Sequence, residues 1–231
     1  MLQKSAMESL RAAVPLPVKH SILRVLNVKR DLTKAARSHA FQSSAAFVAD
    51  SMPLAKPFKT PAAVLQYSLD LAPETGLVAE FGVYSGATLR AISARRPGAH
   101  GFDSFEGLPE DWRYSHPQSK FAVQNLPPVG DAELHVGWFS DTVPKFAANN
   151  TERAAFLHLD ADLYSSTVTV FTELGDRIES GTVLLFDEYF NYPGWQHHEH
   201  KAFLEFIERT GLRYEYVAYN ARGEQVAVKI L

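Results

Sequence analysis

Cysteine is missing from all 231 residues, which excludes disulfides, thiolate-held zinc and a cysteine nucleophile. Any metal here must be held by oxygen or imidazole. Long apolar runs are missing too. No stretch approaches membrane-spanning length, and Lys4, Glu8, Arg11 and Lys19 interrupt what would otherwise be the apolar core of a secretory leader. A cytoplasmic protein without stable membrane insertion is expected. Strong net charge is also lacking. The formal value of -3 provides no clustered positive field for a nucleic-acid partner. The charge is uneven, however: through Lys59 there are ten Lys/Arg and three Asp/Glu, so this segment is basic and the remainder acidic.

What is present is an ordinary globular composition, 46% hydrophobic and 21% charged, enough for one sizeable core. Residues 1–59 carry helical patterning broken by Pro15, Pro17, Pro53 and Pro57, with no strand signal. They are expected to form short helices in an arm or lid, a possible route to a homo-oligomer. From residue 60 the pattern changes. Thr60-Pro61 starts a helix that Pro73 stops after Leu71. Apolar runs at 77–81, 100–102, 133–136, 155–159 and 182–186 then alternate with helical stretches at 87–94, 141–148 and 166–178. Such alternation predicts a parallel sheet covered on both faces. A last helix at 198–209 precedes two strands, 212–219 and 225–230, joined so tightly that they must be antiparallel. The expected fold is therefore α/β: a Rossmann-like seven-stranded sheet, mostly parallel, with a C-terminal antiparallel hairpin, spanning residues 60–231.

The first strand of this domain runs into Glu80-Phe81-Gly82-Val83-Tyr84-Ser85-Gly86-Ala87-Thr88. Glycines at 82 and 86 permit a sharp ligand-facing turn at a helix start. The third glycine of a pyrophosphate cradle is absent, which points to a nucleoside with an amino-acid tail. Glu80 can accept from its ammonium group, while Thr88 and backbone N–H groups meet its carboxylate. Asp103, about 20 residues beyond the turn at the end of the next strand and followed by Ser104, suits two ribose hydroxyls. After the third strand, Gly137-Trp138-Phe139 offers a ring for an adenine pocket, and Ser140 or Asp141 caps the following helix.

The fourth and fifth strands end in His158-Leu159-Asp160-Ala161-Asp162-Leu163-Tyr164-Ser165-Ser166-Thr167 and Leu185-Phe186-Asp187-Glu188-Tyr189. Neighbouring strand ends open onto one crevice, so Asp160, Asp162, Asp187 and Glu188 converge there. A hard divalent cation such as magnesium would resolve their repulsion. The plainer alternative has Asp162 and Ser166 capping the next helix and the other acids solvated. For a general base, the candidates are Asp162 and the histidines His197, His198 and His200. The order of this histidine cluster does not fit a zincin helix.

Together these runs resemble the macrocin O-methyltransferase family, with its L-D-x-D-x-Y-x-S-T strand end and its acidic pair before tyrosine. The E-x-G-x-Y-x-G-x-T turn and D-S-F-E-G-L-P also resemble magnesium-dependent catechol O-methyltransferases. This resemblance, over about residues 60–231, implies a class I methyltransferase using S-adenosylmethionine. It further implies a divalent metal on Asp160, Asp187 and Glu188, and methyl transfer to a hydroxyl of a sugar or polyhydroxylated small molecule. The chain departs from the family in having Asp187-Glu188 where two aspartates are commoner. Two other readings stay open on the residues alone: an NAD-dependent oxidoreductase, and a non-catalytic binding protein on the same fold.

Overall fold

In Leu77–Phe81 (β2) every residue is buried, and the side chains divide by parity between two cores. Leu77, Ala79 and Phe81 join one apolar cluster and Val78 the other. That is what a strand covered on both faces requires. The computed structural model describes residues 31–113 and 116–231; the part of the expected arm at 1–30, with Pro15 and Pro17, lies outside the described residues.

The elements, in chain order, are α1 (Leu32–Ser51), β1 (Lys56–Phe58), α2 (Pro61–Leu71), β2, α3 (Ala87–Ser93), β3 (His100–Asp103), β4 (Glu133–Val136) and α4 (Phe139–Asn149). They continue with β5 (Ala154–Leu159), α5 (Tyr164–Leu174), β6 (Val183–Phe186), α6 (Glu199–Thr210), β7 (Tyr214–Asn220) and β8 (Val226–Ile230). The strands form one sheet in the order β1-β7-β8-β6-β5-β2-β3-β4. β2 to β6 pair in parallel, and β8 runs antiparallel to both β6 and β7. Helices α2 and α3 contribute to the core on one face; α4, α5 and α6 contribute to the other.

Two expectations for the N-terminal segment are corrected. Among the described residues the sheet has eight strands, because Lys56–Phe58 adds parallel to β7 at the outer edge. Proline is tolerated in such an edge strand, and three residues are too short to show a period. In the described part of the segment the helix is long rather than short: 20 residues run from Leu32 to Ser51, capped by Asp31, whose carboxylate accepts from Lys34 N–H at 3.1 Å. α1 is seated on the segment after β6. Phe47 packs against the rings of Trp195 and His200 at 5.4 and 5.2 Å. Ser43 accepts from the Trp195 indole N–H, and Ser44 from the Asn191 backbone N–H.

Where the chain finishes β4 on one side of β2 and crosses back to β5 on the other, the sheet has its topological switch point. A ligand crevice is expected outside the strand ends there. Among the described residues no helix is long and apolar enough to cross a membrane.

Candidate active site

A cavity of about 410 Å³ opens at this switch point. Gly82, Tyr84, Asp103, Ser104, Trp138 and Phe139 line it on the β2–β4 side; Asp160, Asp162, Asp187 and Glu188 line it on the β5–β6 side. Tyr84, Phe121 and Asp162 contribute to the wall with φ of 46°, 71° and 60°. Left-handed backbone at three non-glycine positions is strain concentrated where a ligand would sit.

The glycine turn is built for close backbone approach. Gly82 has φ of +99°, and a Cβ there would overlap the Asp160 carbonyl oxygen. Asp160 N–H in turn donates to the Phe81 carbonyl at 2.9 Å. One oxygen of Asp103 accepts from the backbone N–H groups of Val83 and Tyr84 at 2.8 and 2.7 Å, the other from Phe105 at 2.7 Å. Asp103 thus ties the turn to the loop after β3 while its carboxylate borders the cavity.

One carboxylate oxygen from each of Asp160, Asp187 and Glu188 lies within 4.8 Å of the others. Burial, then the Asp187 charge, pushes Asp160 and Glu188 well above the usual carboxylate range. Burial would raise Asp187 as well, but buried His158 beside it outweighs that and holds it below its ordinary value. His158 Nε2 is 3.8 Å from Asp187, and Nδ1 is 2.8 Å from Glu80. Burial opposes the imidazolium, yet these two acids raise His158 well above its ordinary value. Asp162 is raised to about 7, chiefly by burial, with Arg113 pulling the other way.

Glu199 was not anticipated. It is fully buried, accepting from Ala161 N–H at 3.2 Å and from Glu188 N–H at 3.1 Å. It therefore bridges the loops after β5 and β6. Ser165, Ser166 and Thr169 also line the cavity from α5, and Gly107, Leu108 and Pro109 from the loop after β3. The one-turn spacing of Ser165 and Thr169 at a helix start was the available signal for the first group.

Several expected site residues do not line the cavity. Glu80 is fully buried against His158 rather than on the cavity wall. Gly86, Thr88 and Gly137 do not line the cavity: Gly86 turns the chain into α3 at φ +70°, and Gly137 ends β4 at φ +141°. None of the three histidines lines it. His197 is exposed. His198 packs against Trp112 and Tyr192. His200, lowered to about 4 by burial, packs against Phe47, Tyr189 and Trp195. The helix caps differ too. α4 begins one residue after Trp138 with no side-chain cap, placing Asp141 in its first turn. α5 begins after Leu163, also uncapped, so Asp162 and Ser166 are not caps. The buried Asp162 Oδ1 has no hydrogen-bond partner.

Comparison with known proteins agrees with this geometry. The macrocin O-methyltransferase family model matches residues 129–212. The mycinamicin III 3''-O-methyltransferase of Micromonospora griseorubida is 26% identical over 193 residues, covering 69% of this chain and 72% of that protein. The 8-demethyl-8-(2,3-dimethoxy-alpha-L-rhamnosyl)-tetracenomycin-C 4'-O-methyltransferase of Streptomyces olivaceus is 31% identical over 157 residues, covering 54% of this chain and 58% of that protein. Among solved structures, a calicheamicin methyltransferase superposes with a TM-score of 0.60 at 22% identity, over 83% of this chain and 91% of that one. The O-methyltransferase NovP gives 0.54 at 20%, over 72% and 78%; at these identities both bear on the fold. The fold is that of these methyltransferase structures, and the relatives matched in sequence are O-methyltransferases. Over residues 129–212 the chain resembles the macrocin O-methyltransferases.

Proposed function

We propose that this enzyme methylates a hydroxyl of a sugar carried on a small-molecule glycoside, with a divalent cation, magnesium first, at the reacting end. The observation that carries the reading is one cavity holding both the Gly82–Asp103 wall and the carboxylates Asp160, Asp162, Asp187 and Glu188. The sugar comes from the relatives, one named for 4'-O-methylation of a rhamnosyl tetracenomycin and the other for 3''-O-methylation of mycinamicin III. The same matches favour methyl transfer over the nicotinamide and scaffold readings.

The residues fit a cation. The cluster of three carboxylates has no lysine or arginine ion-paired to it among the described residues, and the buried Glu188 Oε2 has no hydrogen-bond partner. Asp160, Asp187 and Glu188 would hold the ion, all-oxygen ligands suiting magnesium. Such an ion supplies Lewis acidity and a template for the acceptor oxygen. The protein's own groups do the rest. Gly82, Tyr84, Asp103 and Ser104 hold the donor's amino-acid and ribose portions, and Trp138 and Phe139 cover its base. Asp162, near neutral in pKa and with Oδ1 unsatisfied, accepts the proton of the acceptor hydroxyl. Glu199 holds the Ala161 and Glu188 backbones so that the acids stay aligned.

We assign residues 1–59 to an arm over the acceptor side and 60–231 to the methyltransferase domain. The seat of α1 on Asn191 and Trp195 supports this, as does β1 pinning the end of the arm to β7. If the arm is instead exchanged between copies, sedimentation will find a dimer.

The deciding experiment has two parts. Calorimetry should show S-adenosylhomocysteine binding, with no response to NADH. A panel of glycosides and their aglycones, assayed by mass spectrometry with magnesium or a chelator, should show methylation of glycosides only, lost with the chelator. Failure of donor binding overturns the whole reading. Turnover that survives chelation overturns only the metal.

A further inference from the structure

We propose that His100, Glu133 and His135 form a second metal site, taking a zinc-class divalent ion, at the opposite end of the sheet from the cleft. β3 and β4 are parallel and in register, His100 beside Glu133 and Phe102 beside His135. Side chains alternate along a strand, so His100, Glu133 and His135 all fall on one face. His100 and Glu133 begin their strands, while the cleft lies beyond the other ends.

The distances match a coordination sphere. His100 Nδ1 is 3.1 Å from His135 Nε2 and 3.6 Å from Glu133 Oε2, and the three ligand atoms lie within 4.8 Å of one another. Two ligands about 2.1 Å from a tetrahedral zinc sit roughly 3.4 Å apart, between the two shorter separations seen here. The rings are already oriented. His135 stacks on Phe102 at 4.4 Å, and both imidazoles pack against Phe146 of α4, at 4.8 and 5.1 Å. Partial burial lowers both histidines from their ordinary value, leaving the neutral rings that serve as ligands.

Two imidazoles and one carboxylate suit zinc, whereas magnesium prefers oxygen alone. The two sites are therefore separable by ion. The shallow cleft over the cluster is bordered by Thr142, Asn149 and Asn150, which can hydrogen-bond a water in a fourth position. Lys145 also borders it, but is exposed and free to swing into solvent. The competing account is a plain N–H···N hydrogen bond between the two rings, with Glu133 solvated. A bound ion would fasten β4, the last strand of the sheet, onto β3, and β4 leads directly to Trp138 and Phe139.

The test is calorimetric titration of the chelator-stripped full chain with zinc chloride in excess magnesium, which occupies the acidic cluster. The expected result is one zinc per chain with micromolar or tighter affinity, weakened at least about tenfold in His100→Gln, His135→Gln and Glu133→Gln. Binding should be retained in Asp187→Asn. Zinc should raise the melting temperature of the parent and not that of His135→Gln. Glu133 is exposed, so Glu133→Gln reports even if a histidine variant fails to fold. No zinc binding, binding indifferent to all three substitutions, or binding lost in Asp187→Asn instead, each overturns the proposal.

Discussion

Glu80 Oε1 and His158 Nδ1 face one another at 2.8 Å, both side chains almost wholly out of water. The other face of the imidazole meets Asp187, so this one ring keeps a buried glutamate and a cleft carboxylate from standing unpaired. Removing one partner of a buried pair strands the other charge. We expect His158→Ala to cost about 3–5 kcal/mol of stability, read by urea denaturation. A loss under about 1 kcal/mol would mean the pair carries little electrostatic weight.

Gly82→Ala should be far more damaging than its size suggests. The added methyl would overlap the Asp160 carbonyl, and the φ of +99° is unfavourable to alanine. Loss of S-adenosylhomocysteine binding together with a lowered melting temperature is expected. An alanine variant that binds normally would show that the β2 and β5 ends can separate at low cost.

Asp187→Asn and Glu188→Gln should separate donor binding from turnover. Neither residue belongs to the Gly82–Asp103 wall. Donor affinity should hold while kcat falls on the order of a hundredfold or more. Equal loss of both would place these acids on the donor instead.

Asp162→Asn tests the base. A positioned base contributes roughly 10²–10⁴-fold, so kcat should drop within that range. The rise of rate with pH should disappear as well, since Asp162, raised to about 7 chiefly by burial, must lose its proton before it can accept one. An unchanged pH profile would exclude Asp162 from proton transfer.

Stability should respond to pH with a definite sign. Asp160, Asp162, Glu188 and Glu199 all have folded pKa values above their ordinary ones, so the folded state holds protons the unfolded chain has released. Their contribution is fully present below the unfolded carboxylate range and falls as pH rises; for Asp162 the window runs from 3.8 to about 7. His158, raised, adds to the fall, while Asp187 and the lowered histidines His100, His135, His198 and His200 oppose it, the histidines between about pH 4 and 6.5 where they stay neutral as the unfolded rings take up protons. The metal-free enzyme should therefore melt at a lower temperature at about pH 8 than at about pH 5, and magnesium should recover more at the higher pH, where its ligands are free of protons. A melting temperature that climbs steadily over that range would contradict the reading.

Much of this was legible in the sequence, for reasons visible in particular residues. Leu77–Phe81 and Glu133–Val136 match the expected strand bounds because glycine or proline breaks each run. The place of Asp103 on the cavity wall was legible because the geometry of neighbouring strand ends fixes its distance from the turn. Lys56–Phe58 was not, since three residues containing a proline show no alternation and pair only once the hairpin is in place. Glu199 was not, since a glutamate in the first turn of a helix normally faces water and interacts with the helix dipole. The histidines misled in the opposite sense: adjacent imidazoles suggest proton chemistry, yet His200 is packed among aromatic rings as a core residue.

Glu199 begins the helix that follows the Asn191–His198 segment, and its two oxygens reach the backbones of Ala161 and Glu188. That segment also carries the α1 seat, so a bound acceptor that shifted it would move the clamp on the acidic loops. Acceptor occupancy and affinity for the proposed cation would then be two readings of one equilibrium, and a coupling of this kind is reciprocal. A tight-binding acceptor would hold the ion more firmly, and loss of the ion would loosen the acceptor by the same factor.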